Sequence, residues 1–466
     1  MLYNYFRTAL RNLSNHKAYA FISTFGLGLG MAAAISIFLV IRFETSFDSF
    51  HPNHDRIYRV VSVLQFPEGT KYAGDVPYAL PEGVRMDYPQ LKKVAALVGE
   101  YNVTMQADQT RFSEKEGVFW AEPSFLQLFH FPLLAGSPEV LAQPNTILLT
   151  QESAEKYFGD WHKAMGQPMK AWTGAVFKVA GILRNPPANT DFPIKMLLSY
   201  KTLQGAGFMN EWVAMRGGSY CFIQLPDNES PAQFNKQLSE FVRRHKPAQW
   251  QFAGHALQPL SEMHFDGWFG NYTGRIFPKP LIKGLWIIAV FLLLIACINF
   301  INFSTARAII RSRKIGIRKV LGGSRRQLIV QFLGETSVIT LLAAGLAIVL
   351  SLLIIPFLNR LMDLQLGFQV LSDAGVYVFL LILCLGVTLL AGLYPALVLS
   401  GFHPVTALKM KINARMAGGS RLRKGLVVFQ FVFAQVLIIT VLVVTRQIDF
   451  FRNAPLVLIR RISSAY

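Results

Sequence analysis

The sequence predicts an α-helical membrane protein with five transmembrane helices and a large α+β domain inserted between the first and second. Three observations carry that prediction. Hydrophobic residues make up 52% of the chain and gather into five runs near 20 residues long, enough to cross a hydrocarbon layer as helices. The segment between the first two runs, residues 42–282, is mixed in character and holds 23 basic against 23 acidic residues. The formal net charge of +19 therefore resides entirely outside that segment, in short stretches beside the apolar runs. Such a distribution is a topology signal, and it argues against nucleic acid as a partner.

In chain order, residues 1–20 place Leu2, Phe6, Ala9, Leu10 and Leu13 on one helical face, with Arg7, Arg11 and Lys17 elsewhere. That pattern predicts an interfacial amphipathic helix. The first span follows at 21–41. Its apolar core of about 21 residues exceeds the 7–15 of a signal peptide, so it reads as an uncleaved anchor. Gly26-x-Gly28-x-Gly30 lies inside it, where small residues let a neighbouring helix approach closely and a nucleotide has no access.

Within 42–282, β-type runs are expected at Ile57–Leu64, Thr146–Leu149, Val176–Ile182 and Tyr220–Leu225. Helices are expected at Tyr78–Asp87, Gln151–Phe158 and Pro231–Lys246, the last with Ser230 as its N-cap and Pro231 in its first turn. Strands alternating with short helices predict an α+β domain in two lobes. Only Cys221 of the three cysteines falls here, Cys297 and Cys384 lying in spans, so the domain has no disulfide within the chain. His51-Pro-Asn-His54-Asp55 has the residue types of a divalent-metal site, and also those of a simple turn. His255, His264 and Asp266 form a second, looser group of the same kind. The turn is the favoured reading, so no metal site is assigned.

The second span is predicted at 285–303, a cytoplasmic coupling loop at 304–334, and the third and fourth spans at 337–358 and 376–399. A basic cytoplasmic loop at 401–425, a fifth span at 426–445 and an extracytoplasmic tail at 446–466 complete the chain. Arg307–Arg326 holds eight Lys or Arg and no acidic residue, so it belongs in the cytoplasm, as does the N-terminus. Its apolar residues, Ile309, Ile310, Ile315, Ile317, Val320 and Leu321, give a short helix an apolar side. A basic amphipathic helix between two spans is a handle for a cytoplasmic partner. Asn299 and Asn302 are expected to hydrogen-bond between helices, and Glu335 to pair with a base of the coupling loop. No Gly-x-Ser-x-Gly and no Gly-x-x-x-x-Gly-Lys-Ser/Thr occurs, so the chain is expected to be no enzyme and to hold no cofactor.

The stretch INFINFSTARAIIRSRKIGIRKVLGGSRRQLIVQFLGETSVI resembles the start of the membrane domain of FtsX-like, MacB-type ABC transporter permeases of the type VII superfamily. The later AGLYPALVLSGFHPVTALK resembles the end of that domain's third core span and its exit, YFRTALRNLSNHKAYAFISTFGLGLGMAAAISIFLV (residues 5–40) resembles the family's N-terminal anchor, and residues 50–260 its periplasmic core domain. The resemblance implies an FtsX-like membrane domain at 283–400 and a MacB-like periplasmic core domain at 42–282, in a multi-pass protein of the inner membrane. It implies a separate cytoplasmic ABC ATPase that binds the ATP, a homodimer or heterodimer with another permease, and room for a periplasmic adaptor. ATP-driven movement would reach the periplasmic domain, for export or mechanotransmission, with no substrate carried through the bilayer. The family's coupling helix maps onto Ala308–Val320, which assigns ATPase-coupling contacts to Ile309, Arg313, Ile315, Gly316, Ile317, Arg318, Lys319, Leu321 and Gly322. The minimal family member has four spans. The fifth, led by Arg421-Leu-Arg-Lys, echoes the N-terminal anchor and implies a truncated eight-span permease. The alternatives are a membrane-anchored receptor or scaffold with a ligand-binding external domain, and a metalloenzyme using His51 and His54.

Overall fold

The computed structural model describes residues 11, 16–205, 207–213, 217–362, 364–366, 373–401 and 420–453. The predicted interfacial helix at 1–20, most of the basic loop at 401–425 and the end of the tail lie largely outside the described residues. The chain divides into two compact units, residues 41–283 and residues 1–40 with 284–466.

The first helix, α1 (Lys17–Glu44), delivers the chain to the external unit. There the described residues form thirteen strands: β1 (Ile57–Phe66), β2 (Gly69–Ala73), β3 (Val94–Glu100), β4 (Val103–Ala107), β5 (Thr110–Glu114), β6 (Val118–Ala121), β7 (Leu133–Ala135), β8 (Thr146–Thr150), β9 (Pro168–Lys170), β10 (Val176–Leu183), β11 (Met196–Ser199), β12 (Ser219–Gln224) and β13 (Ala253–Pro259). They pair in the order β13-β1-β12-β3-β6-β11-β8-β10-β9-β4-β5, with β2 on β1 and β7 on β10. Two pairs, β6 with β11 and β8 with β10, are parallel; the others are antiparallel.

The four strand runs read from the sequence all form strands, because each is a short β-branched or aromatic run bounded by turn residues. The helices expected in this unit are α2 (Leu80–Asp87), α4 (Gln151–Phe158) and α6 (Pro231–His245), joined by the short α3 (Pro123–Leu128), α5 (Trp161–Ala164) and α7 (Leu260–Met263). The Ser230 hydroxyl accepts from the Gln233 amide at 3.2 Å, the cap expected at the start of α6.

Side chains alternate across the sheet with period two. Ala95, Leu97, Phe119, Leu148 and Phe222 feed one core, whereas Val98, Trp120, Ile147 and Leu149 feed a second on the opposite face. A third core, around Val60, Cys221, Ile223 and Phe234, shares that opposite face under α2 and α6. The two expected lobes are thus two cores on one face of a continuous sheet, since the strand order never breaks between them.

The other unit contains α8 (Lys279–Val320), α9 (Arg325–Met362), α10 (Ala374–Ser400) and α11 (Ser420–Asn453) with most of α1. Including α1, five helices among the described residues are long and apolar enough to cross a bilayer. Leu27, Met31 and Ile35 of α1 pack with Ala296 and Phe300 of α8, Ile339 and Ala343 of α9, and Leu383 and Val387 of α10. A Cβ on Gly30 would sit 2.4 Å from that of Ala296, so this crossing requires glycine. The Ser351 hydroxyl donates to the Ala32 carbonyl at 3.2 Å.

Candidate coupling site

Within the coupling segment 304–334 a short helix is expected over Ala308–Val320, and the structure shows helix there that is continuous with the preceding span. The 42-residue α8 runs unbroken from the membrane span through the basic stretch to Val320. Arg, Lys and Ile tolerate the helix well, and no proline interrupts it after Pro280. The stop comes at Gly322, whose φ of +91° is open to glycine and strained for other residues. Ser324 and Gln327 then form a reciprocal capping box for α9: the Gln327 amide reaches the Ser324 hydroxyl at 3.3 Å, and the Ser324 amide reaches Gln327 Oε1 at 3.1 Å. Basic charge locates this segment and apolar spacing indicates a helix in it, but neither marks where that helix joins the span.

Of the assigned coupling residues, Ile309, Arg313, Ile315 and Arg318 have helical backbone, and their side chains lie outside the described residues. Gly316 is buried. Ile317, Val320 and Leu321 are 45%, 64% and 80% exposed, an apolar edge around the turn. Lys319 donates to the Ser400 carbonyl at 2.6 Å, and Arg325 Nε donates to the Ser400 hydroxyl at 3.3 Å. Two cations thus meet the C-terminal end of α10, where the helix dipole favours positive charge, and hold the turn to that end. Glu335 Oε1 accepts from Gln331 Nε2 at 3.5 Å on its own helix. Asn302 Oδ1 is buried with no partner among the described residues, and Asn299 is half-buried.

The histidines of the external unit separate. His51 Nδ1 accepts from the His130 amide at 3.0 Å, while its Nε2 lies 3.4 Å from Asp48. His54 Nδ1 lies 3.2 Å from the His51 carbonyl, inside the predicted turn. His255 is buried against Ser62, and burial together with Lys246 pulls it down to about 3. His264 is also buried but sits between two carboxylates, Glu44 at 2.7 Å and Asp191 at 3.0 Å. Burial alone would lower it; hydrogen bonds and charge attraction from Asp191 and Glu44 instead push it up to about 9. Asp266 caps its own turn by accepting from the Trp268 amide. Among the described residues no group of three or more His, Cys, Asp or Glu side chains is placed to hold a metal ion.

The model of the MacB-like periplasmic core domain matches residues 20–241, and that of the FtsX-like permease C-terminal domain matches 286–404. The chain belongs to the FtsX-like, MacB-type ABC transporter permeases. This permease is 32% identical over 126 residues to the macrolide export ATP-binding/permease protein MacB of Bdellovibrio bacteriovorus, an alignment covering 26% of the chain and 18% of that protein. The match thus spans less than a fifth of that relative's length. Among solved structures, a domain of a permease protein from Porphyromonas gingivalis aligns at 22% identity and a TM-score of 0.40, covering 51% of this chain and 98% of that one. The periplasmic region of MacB from Actinobacillus actinomycetemcomitans aligns at 10% identity and a TM-score of 0.32, covering 43% and 88%. The extracellular domain of the noncanonic ABC-type transporter YknZ from Gram-positive bacteria aligns at 13% and 0.32, covering 43% and 99%.

Proposed function

We propose that this permease works with a separate cytoplasmic ATPase, which docks on the α8–α9 turn and passes ATP-driven movement along α8 to the external domain. The N-terminus and residues 401–425 are cytoplasmic in this reading, and 42–282 are periplasmic. The permease acts as a homodimer or with a second permease, with a periplasmic adaptor as a further partner, and serves export or mechanotransmission. The ATP is bound by the ATPase and not by this chain. What carries the reading is one helix–turn–helix that combines eight basic residues with the exposed Ile317, Val320 and Leu321. Cations steer the encounter, and the apolar edge supplies contact area. Few polar groups interrupt the spans, which favours movement over a midplane ion path.

Affinity capture of the tagged chain from solubilised membranes is expected to recover an ATPase of the ABC type. Ile315→Asp and Arg318→Glu should each reduce that recovery by about tenfold, the loss of one important interface contact. Undiminished recovery with both substitutions present would overturn the assignment of the docking turn.

A further inference from the structure

The external unit joins the rest of the chain at two places, the exit of α1 near Glu44 and the approach to α8 at Lys279. Buried charge ties these two connections together. Glu44 is fully buried, His264 and Asp48 are 2% exposed and Asp191 is 1% exposed. His264 spans Glu44 through Nε2 and Asp191 through Nδ1, at 2.7 and 3.0 Å. The second oxygen of Glu44 accepts from Arg275. Asn271 Nδ2 donates to Asp191 Oδ1 at 2.9 Å and to the Arg275 carbonyl at 2.7 Å. The His264 carbonyl accepts from the Phe277 amide at 3.0 Å, two residues before α8 begins. On the side of α1, Phe47 stacks on the His264 ring with centroids 3.6 Å apart, and Asp48 accepts from Thr190 and from the Asp191 amide. Three stretches, 44–48, 189–191 and 264–277, thus converge on one imidazole.

We propose that His264 is a positioning residue that clasps the exit of α1 to the approach to α8, so that both connections of the external domain move as one body. Its two ring hydrogen bonds together require the imidazole to donate from both nitrogens, because both partners are carboxylates. A neutral ring can donate from one nitrogen only and would leave a buried carboxylate facing a lone pair. The groups bearing on it are Glu44 from α1 and Asp191 from the strand-free 190–192 segment, while Arg275 from its own loop bears on Glu44. Asp48 and Arg59 act at one remove, since both bear on Asp191. Burial and the Asp48 charge raise Asp191 to about 6, against the pull of His264, so at neutral pH its ionised form is held at a cost that the imidazolium offsets.

The sign of the pH dependence follows. His264 gains affinity for its proton on folding, so its contribution is complete below its ordinary value of 6.5 and disappears as pH rises through about 9. The role in transmission rests on the coupling reading; the clasp itself is tested without an ATPase. Spin labels at Thr45→Cys and Trp268→Cys, in the full chain in lipid nanodiscs with Cys384 replaced by alanine, report the distance between the two connections. A single narrow distribution is expected from pH 7 to 8, broadening with a midpoint near 9. His264→Gln should be broad throughout and show no step. Glu44→Gln, which keeps an acceptor and removes one charge, should move the midpoint down by about one unit. A wild-type distribution that stays narrow to pH 10.5, or a step that survives in His264→Gln, overturns the clasp, and the wild-type titration decides even if a variant fails to fold. Loss of ATPase capture without loss of the pH step would sink the coupling reading and leave the clasp standing.

Discussion

Helices α1 and α11 enter the membrane alike, each led by basic residues into a long apolar run, and they pack differently. The most apolar stretch of α1 has a mean hydropathy of 2.2 and is 61% buried, whereas that of α11 reaches 2.7 with none of it buried among the described residues. The more hydrophobic helix is the less packed one. In lipid, apolar character drives no association, because the tails are as apolar as the side chains. Close approach does, and α1 brings Gly28, Gly30, Ala32 and Ala34 to its neighbours. In α11 the corresponding surface is Val428, Phe431, Val432, Val436 and Ile438, all more than half exposed. Phe433 does stack on Phe291 of α8, at 4.0 Å between centroids.

That contrast breaks most readily at Met31, which is fully buried. Met31→Ala should cost about 2–5 kcal/mol of membrane-unit stability by reversible unfolding in mixed micelles. The matched Val436→Ala in α11 should stay within roughly 0.5 kcal/mol, and comparable losses at both sites would contradict the difference in packing. Gly30→Val comes next. It forces its side chain into Ala296 and should cost about 1–3 kcal/mol in the same assay. The smallest effect belongs to Ser351→Ala, which removes the hydroxyl bond to the Ala32 carbonyl and should cost about 0.6 kcal/mol, the usual worth of a polar contact between membrane helices.

The sequence made the local features legible. Thr146–Leu149 and Val176–Ile182 read as strands because period and composition agree, and Ser230-Pro231 announced the start of α6 because capping is chemistry between near neighbours. In residues 304–334 the spacing of the apolar residues indicated a short helix, and its continuity with the preceding span was not legible, because charge and sidedness do not mark where a helix starts or stops. Arg and Lys are good helix formers, and the real terminator was Gly322 with the Ser324–Gln327 box behind it. The clasp was illegible for a different reason. Glu44 and His264 stand 220 residues apart, and nothing local distinguishes His264 from His255, nine positions earlier. One is surrounded by carboxylates and the other lies near a lysine, a difference that only the tertiary fold creates. The grouping of His264 with His255 and Asp266 followed sequence proximity, and its partners are Glu44 and Asp191.

The uninterrupted run of α8 has a mechanical corollary. At 1.5 Å per residue its 42 residues make a rod about 63 Å long, roughly twice the depth of a hydrocarbon layer. Prolines at positions 356 and 395 give α9 and α10 points at which to bend, and α8 has none beyond its first turn. Pivoting such a rod by about 5° swings its tip through roughly 5 Å, so a modest rocking at one end becomes a stroke wider than an atom at the other.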